Sequence, residues 1–339
     1  MLAGVSSLER TGLEVSRLGL GLAAIGRPGY ITLGRAHDLG ADRSPDALEA
    51  RTATMLDTAR DLGVRYVDAA RSYGRAENFL GDWLRLRGIA PGEIAVGSKW
   101  GYRYTAEWRI DAAVHEQKQL SLARFRTQLA ESQAMLGPWL TLYQIHSATA
   151  ESGCFEDDAL LAALVAERRA GTYGCVGLTL TGATAERALE RALAARVDGE
   201  RVFDVVQATF NCLEPSLGRG LATAHAEGLG VIAKEVHANG RLTDAPAAVT
   251  ERPDDEPLRA RLRALGDAAG LAIDQLAVAW VASHPFVDVV LSGAATVAQL
   301  RSHRAAVGLT LDAATLAELA ALAEPRERYW ETRASLPWR

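Results

Sequence analysis

The feature that most constrains this chain is an alternation. Eight short runs of β-branched and aliphatic residues recur along its 339 residues: Leu18–Leu22, Val64–Asp68, Ile94–Lys99, Leu140–His146, Gly174–Thr179, Val205–Ala208, Val231–Lys234 and Val287–Leu291. Each is followed by a stretch with apolar residues at helical spacing, at 46–62, 76–87, 118–136, 156–169, 183–196, 217–227, 272–283 and 297–306. Parallel strands need a crossover between them, and a helix is the usual one. Eight such units predict the α/β class and a (β/α)8 TIM barrel. The competing doubly wound sheet opens on a GxGxxG turn. Here Gly19, Gly21 and Gly26 have the wrong spacing and run into a long loop. One barrel over 1–339 is therefore expected.

Helix starts are marked by Ser44–Pro45, Thr181–Gly182 and Thr296, residues that cap or open helices. Other segments fall outside the alternation. Residues 7–15 (SLERTGLEV) read as a hairpin sealing the bottom of the barrel. Residues 27–44 form a Gly-rich loop long enough to be a lid or a substrate wall. The Pro- and charge-rich stretch 243–257 reads as a mobile excursion after strand seven. The tail 325–339, with Tyr329, Trp330 and Trp338, is expected chiefly to pack.

Composition excludes several classes of function. The net charge is -5, with no polybasic run, so neither nucleic acid nor an anionic membrane is an expected partner. No stretch approaches the ~18 apolar residues of a membrane span, and the first residues carry Glu9, Arg10, Glu14 and Arg17 in place of a signal-peptide core. The expectation is a cytoplasmic protein. Three cysteines without a CxxC pair and seven histidines without HxH or HExxH spacing point to neither disulfides nor metal.

Chemistry in such a barrel sits at the carboxyl ends of the strands. Strand two ends in Asp68 and is followed by Tyr73, strand three ends in Lys99, and strand four in His146. Singly, each residue also fits a structural role. Together they suit proton transfer at a carbonyl. A lysine ammonium beside a tyrosine favours the phenolate, an aspartate keeps the lysine charged, and a histidine orients the oxygen. The missing component is a hydride donor, which a nicotinamide would supply. Trp100, Tyr102, Tyr104 and Trp108 follow strand three and could line an apolar slot or a sugar-stacking face, or simply pack. Tyr30 could close over the site.

In GVRYVDAARSYGRAENFLGDWL (63–84), the SK of strand three, LYQIH (142–146), LAVAWVASHP (276–285) and LSGAATVAQLRSH (291–303), the chain resembles the aldo-keto reductase superfamily. The resemblance implies a catalytic tetrad of Asp68, Tyr73, Lys99 and His146. It also implies a nicotinamide cofactor, NADPH before NADH, and a small carbonyl or alcohol substrate: an aldehyde, ketone or sugar. The family holds the carboxamide with a Ser-Asn pair and a glutamine; Thr179-Leu180 and Gln207 stand there, so one usual partner is lost. Many members stack an aromatic ring after strand seven, where this chain has Lys234 and Glu235. Lys234 is expected either to reach a phosphate or substrate oxygen or to form a surface pair. The phosphate end of the cofactor is expected at Ser292, Gly293, Thr296, Gln299 and His303, with Arg301 and Arg304 nearby. The alternatives are a non-catalytic nicotinamide-binding regulatory subunit on the same barrel, or an unrelated barrel enzyme using Lys99 as a Schiff base. The oligomeric state stays open.

Overall fold

Hydrophobic runs of strand length, too apolar to face water on either side, close on themselves in the computed structural model, which describes residues 5–8 and 11–339. The strands, in chain order, are β1 (Leu18–Gly21), β2 (Tyr66–Asp68), β3 (Ala95–Trp100), β4 (Leu140–Ala148), β5 (Cys175–Leu180), β6 (Val205–Thr209), β7 (Gly230–Lys234) and β8 (Val289–Ser292). Each pairs in parallel with the next, and β8 pairs with β1 to complete the barrel. The helices between and after them are α1 (Pro45–Asp61), α2 (Ala76–Leu86), α3 (Leu122–Leu136), α4 (Asp158–Arg169), α5 (Ala185–Ala194), α6 (Gly218–Ala226), α7 (Ile273–Ala282) and α8 (Val297–Ala306). The predicted fold class is the observed one.

The expected caps are only partly found. Ser44 accepts a hydrogen bond from the Ala47 amide, and Thr296 accepts one from Gln299. Thr181–Gly182 does not cap α5, whose first flanking residue is Thr184. Helix α3 starts at 122 and not at 118, because Glu116–Lys118 pairs antiparallel with Tyr102–Tyr104 and Ser121 caps the helix after that hairpin. The stretch 243–257 is not an open excursion. It contains a helix at Pro246–Glu251 and leads into another at Glu256–Ala269, and Arg241 ties Asp255 to Glu324. Proline in a first helical turn favours a start, so these prolines mark helix beginnings. Helices at Ala313–Ala320 and Arg326–Ala334 were also absent from the sequence reading.

Side chains alternate along each strand, which positions the site. On β3, Gly97 and Lys99 face the barrel axis, while Val96 and Trp100 pack among the helices. Gly97 has to be glycine, since a Cβ there would meet the Tyr66 hydroxyl at 2.4 Å. The base of the barrel is plugged from below by Leu8, Leu13 and Val15, packed on Tyr66, Leu142, Val205 and Ile232. Leu8 follows the first strand, and Val15 lies in the second, of a hairpin that pairs Val5–Ser7 with Glu14–Ser16, as the sequence suggested for this region; residues 9 and 10 of the predicted hairpin lie outside the described residues.

Candidate active site

Above that plug the barrel axis turns polar. Asp68, at the end of β2, is 1% exposed and is satisfied on every side. Its Oδ2 accepts from the Tyr66 hydroxyl (2.8 Å), Gln207 Nε2 (2.9 Å) and Gln144 Nε2 (3.2 Å), and its Oδ1 accepts from Lys99 Nζ. Lys99 Nζ also donates to the Ala69 carbonyl at 2.9 Å. A buried ion pair is tolerated when its remaining lone pairs and protons are met in this way. The ammonium lies 4.8 Å from the centroid of the Tyr73 ring, and the His146 ring meets Tyr73 edge-on at 5.5 Å. The four residues predicted as a tetrad are thus brought together. Asp68, Tyr73 and His146 line a cavity of about 370 Å³ at the carboxyl ends of the strands.

Local structure explains how each is aimed. Tyr73 rides on the β2–α2 turn, which Arg71 fixes through Glu77 (2.5 Å) and Glu131 (2.9 Å). His146 sits where β4 slips register against β5, next to Ser147 in the left-handed region (φ 56°). Such irregularities re-aim side chains at barrel rims. Ser72 Oγ lies 3.5 Å from His146 Nδ1.

The electrostatics depart from the sequence expectation in one respect. Burial, reinforced by the Asp68 charge, pushes the Tyr73 phenol well above its ordinary range, and Arg27 opposes this. The lowering expected from Lys99 does not set the balance, because burial is the largest influence on the phenol and the Asp68 charge adds to it. Tyr73 is a protonated phenol, set to donate. Burial also drives His146 well below the usual histidine range, with Lys99 and Lys234 adding to the effect. The imidazole is neutral and can give one N–H to an oxygen.

The predicted cofactor residues divide into groups. Gln207 lines the cavity but commits its Nε2 to Asp68. Thr179 is fully buried, with its hydroxyl accepting from the Ser147 amide at 2.6 Å; Thr181, not Thr179, reaches the cavity. Lys234 is no surface residue: it lines the cavity and donates to Thr209 Oγ1 at 2.8 Å, and burial lowers its ammonium to about 8. Ser292 and Gly293 line the same cavity, which adjoins a second pocket against Gln299 and His303. Ser292 Oγ lies 2.8 Å from His303 Nδ1, and His303 stacks on His237 at 4.2 Å. Burial holds His303 well below its ordinary range. Gln299 accepts from the Ala295 amide at 2.9 Å and donates to Asp38 at 2.8 Å, while Thr296 caps α8. Arg304 turns away to the Leu62 carbonyl, while Arg51 puts a cation beside the start of α8 and donates to the Ala295 carbonyl at 3.2 Å.

An elongated nicotinamide dinucleotide fits this layout. The path runs from the tetrad past Gly293, where nothing lies within 4 Å of a would-be Cβ, to the N-terminus of α8, an end that favours phosphate.

Among the predicted substrate residues, Tyr30 and Tyr102 line the cavity, and the Tyr102 ring meets His146 edge-on at 5.0 Å. Trp100 does not. It is fully buried and packs on Phe125 at 5.2 Å, because its neighbour Lys99 takes the inward position and strand alternation sends Trp100 outward. Trp108 packs edge-on to Phe79 and donates to the Arg43 carbonyl, away from the cavity. Arg27, Glu116 and Arg333 were not singled out in the sequence, and Trp338 was expected chiefly to pack; all four line the cavity. Their signal in the sequence was position alone, charge in the loops after β1 and β3 and in the tail.

Comparison with known proteins agrees with this architecture. Protein tas of Escherichia coli is 27% identical, over 93% of this chain and 96% of its own length. The uncharacterized oxidoreductase YrpG of Bacillus subtilis is 26% identical, over 90% of this chain and 91% of its own. The aldo-keto reductase AKR11C1 of Bacillus halodurans, solved in holo form, superposes with a TM-score of 0.70 at 20% identity, covering 95% of this chain and 96% of that one. Residues 17–324 match the model of the aldo/keto reductase family, and the chain belongs to that family.

Proposed function

We propose that this chain interconverts a small carbonyl compound and its alcohol, with Tyr73 as the proton donor in reduction and the acceptor in oxidation. Family membership supports an oxidoreductase of the NAD(P)H-using kind in general terms. The observation that carries the finer reading is the buried Lys99–Asp68 pair beneath Tyr73, with the neutral His146 ring beside it.

In the tautomer protonated on Nε2, the neutral His146 offers that N–H to the carbonyl oxygen and leaves Nδ1, 3.5 Å from Ser72 Oγ, as an acceptor. Tyr73 offers the second hydrogen bond and passes its proton as the oxygen gains charge. Lys99, whose ammonium lies 4.8 Å from the ring centroid, offsets the phenolate that results. Asp68 keeps Lys99 in place, and the Tyr66, Gln144 and Gln207 donors hold Asp68. A bound reduced nicotinamide supplies the hydride. Thr181, Lys234, Ser292, Gly293 and Gln299 are the residues we assign to holding it. NADPH is the cofactor we favour, because Arg51 puts a cation beside the start of α8.

Parallel titrations with NADPH and NADH, read by quenching of tryptophan fluorescence, test this reading. Tighter binding of NADPH supports it in full. Tighter binding of NADH corrects the cofactor and keeps the reaction. Binding of neither overturns it.

A further inference from the structure

The tetrad accounts for one end of the cavity. Beside it, the Arg27–Glu116 pair forms a charge arrangement that proton transfer alone does not require. Arg27, in the loop after β1, is 1% exposed. Its Nη1 donates to the Ser72 carbonyl and to Glu116 Oε2, both at 2.9 Å, while its buried Nε has no partner. Its guanidinium carbon lies 4.7, 4.8 and 5.2 Å from the ring centroids of Tyr30, Trp338 and Tyr73. Enclosing an arginine among aromatic rings and leaving it short of partners is costly, and packing alone does not require it. Arg27 and Glu116 both line the cavity shared with Tyr73 and His146.

From this we infer that the Arg27–Glu116 pair is a specificity device that reads adjacent hydroxyl groups on a neutral substrate, beside the carbonyl carbon that reacts. The inference rests on the oxidoreductase reading above and adds the substrate class.

Two observations select that class. An apolar substrate covering the pair would strip water from Glu116, the partner that keeps some exposure, and would return no hydrogen bond to it or to Arg27, a cost of the kind that makes polar pockets reject analogues lacking a hydroxyl. An anionic substrate approaching Arg27 would meet Glu116 at once. It would then meet Glu235, which lines the same cavity and is held ionised: burial pushes its carboxyl up, but Arg333 and Lys234 pull it down to about 2. The cations Arg27 and Arg333 are each matched by a carboxylate, at 2.9 Å in both cases. A vicinal diol satisfies such a pair directly, one hydroxyl donating to Glu116 and the next accepting from Arg27. Tyr30 and Trp338 present apolar faces beside it. The ligand chemistry is that of a short aldose or its polyol.

The test compares glyceraldehyde with propanal, the same carbon skeleton without hydroxyls, and with succinate semialdehyde, which carries a carboxylate. Wild type is expected to favour glyceraldehyde over both in kcat/KM, by at least about tenfold over propanal. Glu116→Gln, which keeps the shape, should reduce that preference by about tenfold, and Arg27→Lys should reduce it in the same direction. A purely structural role would lower both substrates together and leave the ratio unmoved, which overturns the inference. A wild-type preference for the semialdehyde also overturns it. A binding arm separates this inference from the reaction itself: erythritol and butan-1-ol are titrated against the NADP-treated protein by tryptophan fluorescence. If no carbonyl is turned over, the oxidoreductase reading fails. The diol inference then stands if erythritol binds in wild type at least about tenfold more tightly than butanol and loses this in Glu116→Gln, and falls if it does not.

Discussion

Arg333, on the helix Arg326–Ala334, donates through Nε to both carboxylate oxygens of Glu235 at 2.9 Å, and so locks the tail to the end of β7. Glu235 sits in the left-handed region (φ 54°), and its second anchor is the Thr209 hydroxyl at 3.1 Å. A non-glycine residue holds such a conformation only where its surroundings impose it. Arg333, Leu336 and Trp338 of the same tail form part of the cavity wall.

This clamp predicts a stability effect with a defined sign. Glu235 is held at about 2, below its ordinary 4.5, so its contribution is fully present above pH 4.5 and is lost as pH falls toward 2. Arg333→Met should cost about 3 kcal/mol at neutral pH, because it leaves a buried carboxylate unpaired. Urea unfolding at a series of pH values checks this: the gap between wild type and variant should shrink through that acid window. A gap independent of pH would show that Arg333 acts through packing alone.

The Tyr73 phenol lies well above its ordinary range, so it is protonated across neutral pH. Carbonyl reduction should therefore be flat with pH through that range. Alcohol oxidation needs the phenolate and should rise about tenfold per pH unit on the alkaline side. Paired pH–kcat profiles in the two directions check the asymmetry.

Removing one member of the buried pair should be more damaging than removing a surface charge. Lys99→Met leaves Asp68 with its neutral donors but no cation, and should lower stability by about 3–5 kcal/mol as well as turnover. Thermal unfolding alongside steady-state rates measures both losses.

Trp100 supplies the contrast. It faces α3 and not the cavity, so Trp100→Phe should leave KM for every substrate within about twofold while lowering stability by about 1–2 kcal/mol. Kinetics across several aldehydes would expose any contact with substrate.

How far the sequence could be read follows from these residues. The barrel was legible because its signal is periodic: apolar runs and amphipathic stretches fix strands, helices and their order. Asp68, Lys99 and His146 were legible because a strand end in such a barrel is a known address. Trp100 was misplaced by the same logic applied one residue too far, since alternation gives Lys99 and Trp100 opposite faces. The lowered pKa expected of Tyr73 failed because a sequence does not show how completely the ring is buried, and burial outweighs the neighbouring cations. Arg27, Glu116 and Arg333 were beyond reach for a different reason. They come from a loop, a short hairpin strand and a terminal helix that lie outside the β/α alternation, and are brought together by tertiary contacts such as the reciprocal backbone bonds of Tyr30 and Arg339 at 3.0 and 3.1 Å.

The most direct test of the central claim is the rate of nicotinamide oxidation with glyceraldehyde, measured for wild type and Tyr73→Phe at saturating cofactor, with cofactor affinity measured on the same samples. Loss of the phenol should lower turnover by at least about a hundredfold and leave nucleotide binding unchanged. Equal rates in the two proteins would contradict proton transfer through Tyr73.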